Sequence, residues 1–425
     1  MDGEVLGEAM SLCPSCMRQI PGRYVRHGSQ VLMEKSCPDC GESSAVVWNG
    51  FEDFSQWYLD LGESAADCDL FGCCEQEAAF ALVEVTSKCD SACSVCYAHD
   101  DSCQVAPGNV SFSKICRQID AIADIGNPIL QISGGEPTVR DDLPDIIEHA
   151  KSNGLDAIQL NTNGKRIASD LDYLLELRDA GLTFVFMGFD GLDDGIYLRL
   201  RNERLLEAKL AAIENCAEAE VGVVLVPTIV RGVNDSQIGS IIRFALEKSP
   251  VVRGVHFQPA ALMGRTGFAE LASPVDHFTL DELMEAIYSQ APDLVRRGDL
   301  APSHCDHPMC GFHASYIKAP DGTLAGPLKR EDSGASTVVS ARANRDFISK
   351  RWTYTRPKPG SDKLDISTMG GFLERVKTHS FTISAMAFLD ATNMDSNRIR
   401  RCSLHVIADD RGLIPFCLRY ATPLR

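Results

Sequence analysis

The stretch that decides the fold reads Phe80-Ala-Leu-Val-Glu-Val-Thr86, then Ser-Lys, then Cys89-Asp-Ser-Ala-Cys93-Ser-Val-Cys96-Tyr97. Its first part is a short apolar run rich in β-branched residues, the pattern of a buried strand. Its second part sets three cysteines at CxxxCxxC spacing on the loop that follows. Three such thiolates can hold three irons of a cubane cluster and leave the fourth iron open. An open iron admits a small molecule, which a fourth cysteine would forbid. On spacing alone, a zinc site or a buried thiol cluster is the alternative.

Downstream the pattern is rhythmic. Strand-like runs follow at Ile129–Ser133, Ala157–Asn161, Phe184–Gly188, Val221–Ile229 and Val252–Gln258. Helical stretches separate them at Phe112–Ile125, Asp142–Ser152, Leu171–Ala180, Arg204–Glu218 and Gln237–Glu247, with Asp142 and Ser236 as expected helix starts. Six strands alternating with helices predict an α/β fold with a parallel sheet and chemistry at the strands' carboxyl ends. The expected division is a four-cysteine module at 1–50, a cysteine-containing linker at 51–77, the α/β core at 78–270 and a C-terminal region at 271–425. Residues 331–345 read as a flexible surface loop.

The N-terminal module rests on Cys13-Pro-Ser-Cys16 and Cys37-Pro-Asp-Cys40. Two CxxC pairs at this separation predict a tetrahedral four-thiolate site of the zinc-ribbon or rubredoxin type, around a hairpin turn at His27-Gly28-Ser29. Zinc and a single iron share this ligand set.

The 425 residues correspond to about three domains at ~150 residues each. With 41 basic and 59 acidic residues the formal charge is -18, which argues against a nucleic-acid or anionic-membrane binder. The longest apolar stretch, Val221–Val230, is too short to span a bilayer, so no integral membrane segment is expected. No signal peptide is expected from the opening MDGEVLGEAM. Seventeen cysteines without a secretory signal point to metal or cluster ligation in a reducing cytoplasm.

Each strand is followed by residues suited to ligand binding. Gly134-Gly135-Glu136-Pro137 combines glycines that let backbone approach a ligand with a carboxylate for an ammonium group. Thr162 and Asn163 can hydrogen-bond a ribose or a carboxylate. Asp190 can do the same or act as a buried cap. Arg265 can pair with a carboxylate or form a surface salt bridge.

In this order, the cysteine loop, GGEP, Asn161-Thr162-Asn163-Gly164, Phe189-Asp190-Gly191, Gly232-Val233-Asn234-Asp235 and Gly264-Arg265 resemble the radical S-adenosylmethionine (SAM) superfamily over about residues 80 to 270. The resemblance implies a partial (β/α)6 TIM-like barrel. It implies a SAM-binding [4Fe-4S] cluster on Cys89, Cys93 and Cys96, and SAM held by Gly134, Gly135, Glu136, Pro137, Thr162, Asn163, Asp190 and Arg265. Its chemistry is reductive cleavage of SAM to methionine and a 5′-deoxyadenosyl radical, which abstracts hydrogen from an unactivated C–H bond.

The remaining cysteines narrow the likeness. Cys68, Cys73 and Cys74 precede the core; Cys305 and Cys310 lie in His304-Cys-Asp-His-Pro-Met-Cys-Gly311; Cys402 and Cys417 flank His405. Together with CPSC and CPDC, they resemble the subgroup containing archaeal tetraether lipid synthase and the methyltransferases that act on the pterin of methanopterin. That implies one or two auxiliary [4Fe-4S] clusters in the C-terminal region. The subgroup's second CxxxCxxC is here Cys68-Asp-Leu-Phe-Gly-Cys73-Cys74, so one auxiliary ligand set is altered. Cys103, Cys116 and Cys216 have no partner spacing, and the last two are expected as helix core.

The reading is thus a radical SAM enzyme for C–C bond formation or alkylation (methylation) of a pterin-like small molecule or a lipid chain. A ferredoxin or flavodoxin is the expected electron donor. No cobalamin module is evident. The alternatives are a radical SAM peptide maturase with auxiliary clusters, or a non-enzymatic zinc-ribbon interaction protein.

Overall fold

The computed structural model describes residues 3–58, 77–98, 108–266, 277–302, 306–328, 337–360, 366–408 and 412–423. At the N-terminus, β1 (Glu4–Leu12), β2 (Gln19–His27), β3 (Gln30–Cys37) and β4 (Gly41–Trp48) form an antiparallel sheet in chain order. His27 pairs with Gln30 across a two-residue turn, and Gly28 takes φ +65° there, as a II′ hairpin requires at its first turn position. Tyr24, Met33 and Trp48 are fully buried on one face, and Phe54, from the helix Phe51–Trp57, closes over them.

The α/β core matches the expected rhythm. Strands β5 (Phe80–Thr86), β6 (Ile129–Gly134), β7 (Ile158–Thr162), β8 (Phe184–Gly188), β9 (Gly222–Val226) and β10 (Val252–Pro259) pair in parallel, each with the next. Helices at Phe112–Asp124, Leu143–Ser152, Leu171–Ala180, Leu206–Glu218 and Ile238–Glu247 cover the outer face. Ile115, Ile119 and Ile122 show why: apolar residues at helical spacing turn one stripe to the sheet. Asp142 precedes its helix, but its carboxylate is bonded to Arg140 instead of the helix end. Ser236 lies within a short 3-10 turn, and the helix itself starts at Ile238.

Beyond residue 270 the chain returns to this barrel. β11 (Gly311–Lys318) pairs antiparallel with β12 (Ser380–Met386), and β12 joins β10 in parallel. β13 (Leu404–Ala408) adds in parallel to β5 at the opposite edge. The six-stranded half-barrel therefore gains one parallel strand at each edge, both from the C-terminal region. Residues 387–403 carry the chain from one edge to the other.

The expected loop at 331–345 is corrected in part: Thr337–Trp352 is a helix. Its Ser/Thr/Asn-containing sequence has no clear apolar period, which is why it reads as a loop. It is held by tertiary packing, with Ala341 and Trp352 buried in the barrel. Cys216 is buried on its helix as expected, whereas Cys116 is only half-buried. Among the described residues no helix is long and apolar enough to cross a membrane.

One buried cation fixes that helix. Arg253 on β10 is fully buried and donates to the carbonyls of Arg351 (2.7 Å), Thr378 (2.6 Å) and Lys377 (3.2 Å). Burial lowers its pKa to about 10, so it stays charged at neutral pH. Arg253→Leu leaves these carbonyls buried without a donor. We expect a loss of roughly 2–4 kcal/mol, read from the urea midpoint; an unchanged midpoint would contradict the role.

Candidate active site and metal centre

The site lies at the carboxyl ends of the barrel strands. Where β5 ends, the chain runs beside the GGEP loop that follows β6. Gly135 N–H donates to Thr86 O (2.8 Å) and Glu136 N–H to Lys88 O (2.8 Å). A Cβ on Gly134, which has φ +141°, would sit 2.2 Å from Thr86 O, and one on Gly135 would sit 2.2 Å from Lys88 O. The close approach that requires these glycines is therefore to the protein's own backbone, where the sequence reading placed a ligand.

Glu136 is buried and accepts four hydrogen bonds. Oε1 takes Thr138 N (3.0 Å), Thr138 Oγ1 (2.6 Å) and Thr162 Oγ1 (2.7 Å); Oε2 takes Asn163 N (2.6 Å). Burial pushes its pKa up, and these donors oppose that shift. Pro137 opens the short 3-10 turn that Glu136 caps. Asn163 Nδ2 reaches Asp90 (2.7 Å) and Ser91 (3.3 Å), tying the loop after β7 to the cysteine loop.

The cysteine loop is held from its other side as well. Asn202 Nδ2 donates to Ala92 O (2.7 Å), Arg265 Nη1 to Cys93 O (3.1 Å) and Arg201 Nη1 to Val95 O (3.1 Å). Arg265–Thr266 also pairs antiparallel with Val95–Cys96. Asp190 is fully buried and grips Arg201 with both oxygens at 2.7 Å. Its partner Arg201, and not Asp190 itself, reaches the cavity wall.

Cys89, Cys93 and Cys96 line one cavity of about 340 Å³ together with Gly135, Glu136, Thr162 and Asn163. Three thiols around one space is the donor set a three-cysteine cluster site needs. The sequence reading missed Arg201 and Lys209 on this wall. Lys209 is buried, donates to Asn163 O, and burial lowers its pKa to about 8. A single lysine in a helical stretch carries no signal of this until the fold turns it inward. The far wall comes from Phe186, His256, Asn344, Arg351 and Trp352.

In the N-terminal sheet, the Sγ atoms of Cys13, Cys16, Cys37 and Cys40 all lie within 4.8 Å of one another. Burial works against ionisation of Cys13, yet the N–H groups of Cys16 and Ser15 hold its thiol down to about 7. Four converging sulfurs, with amides directed at one of them, fit a tetrahedral metal.

This module docks on the connection between the barrel edges. Met10 N–H donates to Ser396 Oγ (3.0 Å), Ser11 Oγ to Met394 O (2.6 Å), Lys35 Nζ to Ala391 O (2.7 Å), and Tyr24 OH to Asp395. Immediately after, Arg398 Nε donates to Cys310 Sγ (3.3 Å). Leu389 N–H donates to Cys417 Sγ (3.3 Å), and Ala387 N–H to Cys310 O (2.8 Å), so residues 387–389 bring Cys310 and Cys417 to one segment. Cys402 packs against the hydrophobic cluster that contains Cys417, and its thiol donates to Leu404 O (3.0 Å). Cys68, Cys73, Cys74, Cys103 and Cys305 lie outside the described residues.

Residues 83–245 match the radical SAM superfamily, and residues 5–49 match the HMPTM N-terminal zinc ribbon domain. The chain is 30% identical, over 96% of its length and 92% of the relative's, to the 7,8-dihydro-6-hydroxymethylpterin dimethyltransferase of Methanocaldococcus jannaschii. It is 29% identical to the GTP 3',8-cyclase of Rhodopirellula baltica over 42% of this chain and 50% of that one. Among solved structures, Streptococcus suis SuiB bound to precursor peptide SuiA has a TM-score of 0.42 at 16% identity, covering 51% of this chain and 47% of its own. The chain belongs to the radical SAM superfamily and is a radical SAM enzyme with an N-terminal zinc ribbon. Over almost its full length it is similar to a pterin methyltransferase.

Because residues 391–397 hang on the metal module, Cys37→Ser is expected to lower bound metal by one per chain and to raise amide hydrogen exchange across 391–398. Wild-type protection there would show that docking does not depend on the metal.

Proposed function

We propose that this enzyme alkylates, most simply methylates, a flat pterin-like small molecule at an unactivated carbon. The observation that carries this is the single cavity running from Cys89, Cys93 and Cys96 to the aromatic wall of Phe186, His256 and Trp352. Its volume of about 340 Å³ falls in the range of small-molecule sites. The full-length likeness to a pterin methyltransferase supports the same substrate class.

In this proposal Cys89, Cys93 and Cys96, which line the cavity, would hold a [4Fe-4S] cluster through three thiolates. Gly134, Gly135, Glu136 and Pro137 frame the SAM ammonium, with Thr162 and Asn163 fixing the carboxylate of Glu136. Arg201, oriented by Asp190, and Arg265 place positive charge beside the cysteine loop for the SAM carboxylate. When bound, the cluster and SAM supply a radical able to take hydrogen from an unactivated C–H bond. The barrel residues orient the partners and exclude water.

Cys310, Cys402 and Cys417, with Cys305, Cys68, Cys73 and Cys74, are proposed ligands of one or two auxiliary [4Fe-4S] clusters. Arg398 would donate to the sulfur of Cys310 there. The zinc ribbon is proposed as a structural metal site. A ferredoxin or flavodoxin supplies the electron, and the described cysteines, all unpaired by disulfides, suit a reducing cytoplasm.

Cys93→Ala is expected to abolish 5′-deoxyadenosine formation under strong reductant while the N-terminal metal stays bound. Continued formation of 5′-deoxyadenosine would contradict the cluster assignment.

A further inference from the structure

The inner face of the barrel carries a row of carboxamides that the cysteine loop and the GGEP loop do not use. Gln131 on β6 and Gln159 on β7 are register partners, and Asn161 follows two residues along β7 on the same face. Gln131 Nε2 approaches Gln159 Oε1 at 3.5 Å, and Gln159 Nε2 donates to Asn161 Oδ1 at 2.6 Å. Gln159 is fully buried, whereas Gln131 and Asn161 both line the cavity.

This ladder fixes what each end presents. A carboxamide has one acceptor oxygen and two N–H donors. Gln159 occupies an N–H of Gln131 and the oxygen of Asn161. These contacts leave over Gln131 Oε1, an acceptor, and Asn161 Nδ2, a donor, on two residues that line the cavity. A 2-amino-4-oxopyrimidine edge offers the complement: the adjacent N3–H and 2-amino N–H for the first and the C4 carbonyl for the second, whereas a 2-oxo group would set two acceptors against each other.

Beside this edge stands an apolar face. Asn161 is the register partner of Phe186 on β8. Phe186 lies 5.2 Å from the His256 ring and 5.5 Å from Trp352, centroid to centroid. His256 Nδ1 is bonded to Ser384 Oγ (2.9 Å), and burial lowers its pKa to about 4, so the ring is neutral and packs as an aromatic surface at pH 7. An edge of one acceptor and one donor, next to a face of three rings, describes a flat nitrogen heterocycle.

We propose that Gln131 and Asn161 read the 2-amino-4-oxopyrimidine edge of the substrate, with its ring lying against Phe186, His256 and Trp352, and that Gln159 is the positioning residue that sets their amide orientation. The inference rests on the pterin reading above and assigns the residues that enforce it. The same edge occurs in pterins and in guanine nucleosides, so the test includes both.

The test is anaerobic titration of the reconstituted, SAM-bound protein, followed by ligand fluorescence or calorimetry. The ligands are 6-hydroxymethylpterin, guanosine, and the 2,4-dioxo (lumazine) analogue that lacks the 2-amino group. The wild type is expected to bind the pterin at least tenfold more tightly than either of the others. Gln131→Leu is expected to erase the preference for pterin over lumazine, with lumazine affinity changed less than threefold. Asn161→Asp, which keeps size but exchanges donor for acceptor, is expected to weaken the pterin at least tenfold; circular dichroism and iron content report that each variant is folded. A wild type that binds the pterin, with folded Gln131→Leu and Asn161→Asp retaining its preference, overturns the assignment and leaves the pterin reading standing. Tighter binding of guanosine than pterin supports edge recognition and overturns the pterin reading. No binding of pterin or guanosine overturns both.

Discussion

The buried carboxylate of Glu136 is the constraint on which the site depends. Three of its four donors come from side chain and backbone on its own turn or the end of β7, and the fourth is the amide of Asn163. Asn163 in turn holds Asp90 and Ser91, and the backbone of Gly135 and Glu136 lies directly on Thr86 and Lys88. The segments after β5, β6 and β7 are thereby fixed to one another. An unpaired carboxylate at this depth would be costly, so the donors and the acid require each other. The result is a cysteine loop on rigid support at the mouth of the barrel, which is where preorganised chemistry needs it.

The remainder of the chain serves the same mouth from behind. The C-terminal region supplies a parallel strand to each barrel edge, and the segment joining them is gripped by the N-terminal ribbon through Lys35, Ser11 and Tyr24. Arg398 leaves that gripped segment to reach Cys310. The N-terminal module is thus linked, through this segment and Arg398, to the thiol of Cys310. Arg253 does comparable work inside the barrel, holding the chain end of the helix that brings Arg351 and Trp352 to the cavity.

Much of this was legible in the chain. The six core strands are short and each carries β-branched residues, and their bounds shift by no more than a residue or two, except that Val221–Ile229 breaks at Pro227. The two CxxC pairs carry their geometry in their spacing. What stayed hidden depends on distant partners. Ser380–Met386 and Leu404–Ala408 become strands because barrel edges are waiting for them, not because of strong local pattern. Asp190 is a ligand-binding candidate until Arg201, eleven positions on, is seen to occupy both its oxygens. The glycine pair was legible as a close approach, but the approaching group was backbone. Gln131, Gln159 and Asn161 are ordinary strand residues until pairing aligns them on one face.

The central claim is that three thiolates of one loop hold a cubane whose fourth iron meets SAM inside this barrel. It is tested most directly by electron–nuclear double resonance on the reduced protein with SAM carrying nitrogen-15 at its amino group. The account predicts a hyperfine coupling between that nitrogen and the cluster spin, lost in Cys93→Ala. A reduced cluster bound at Cys89, Cys93 and Cys96 that shows no coupling to added SAM would contradict it.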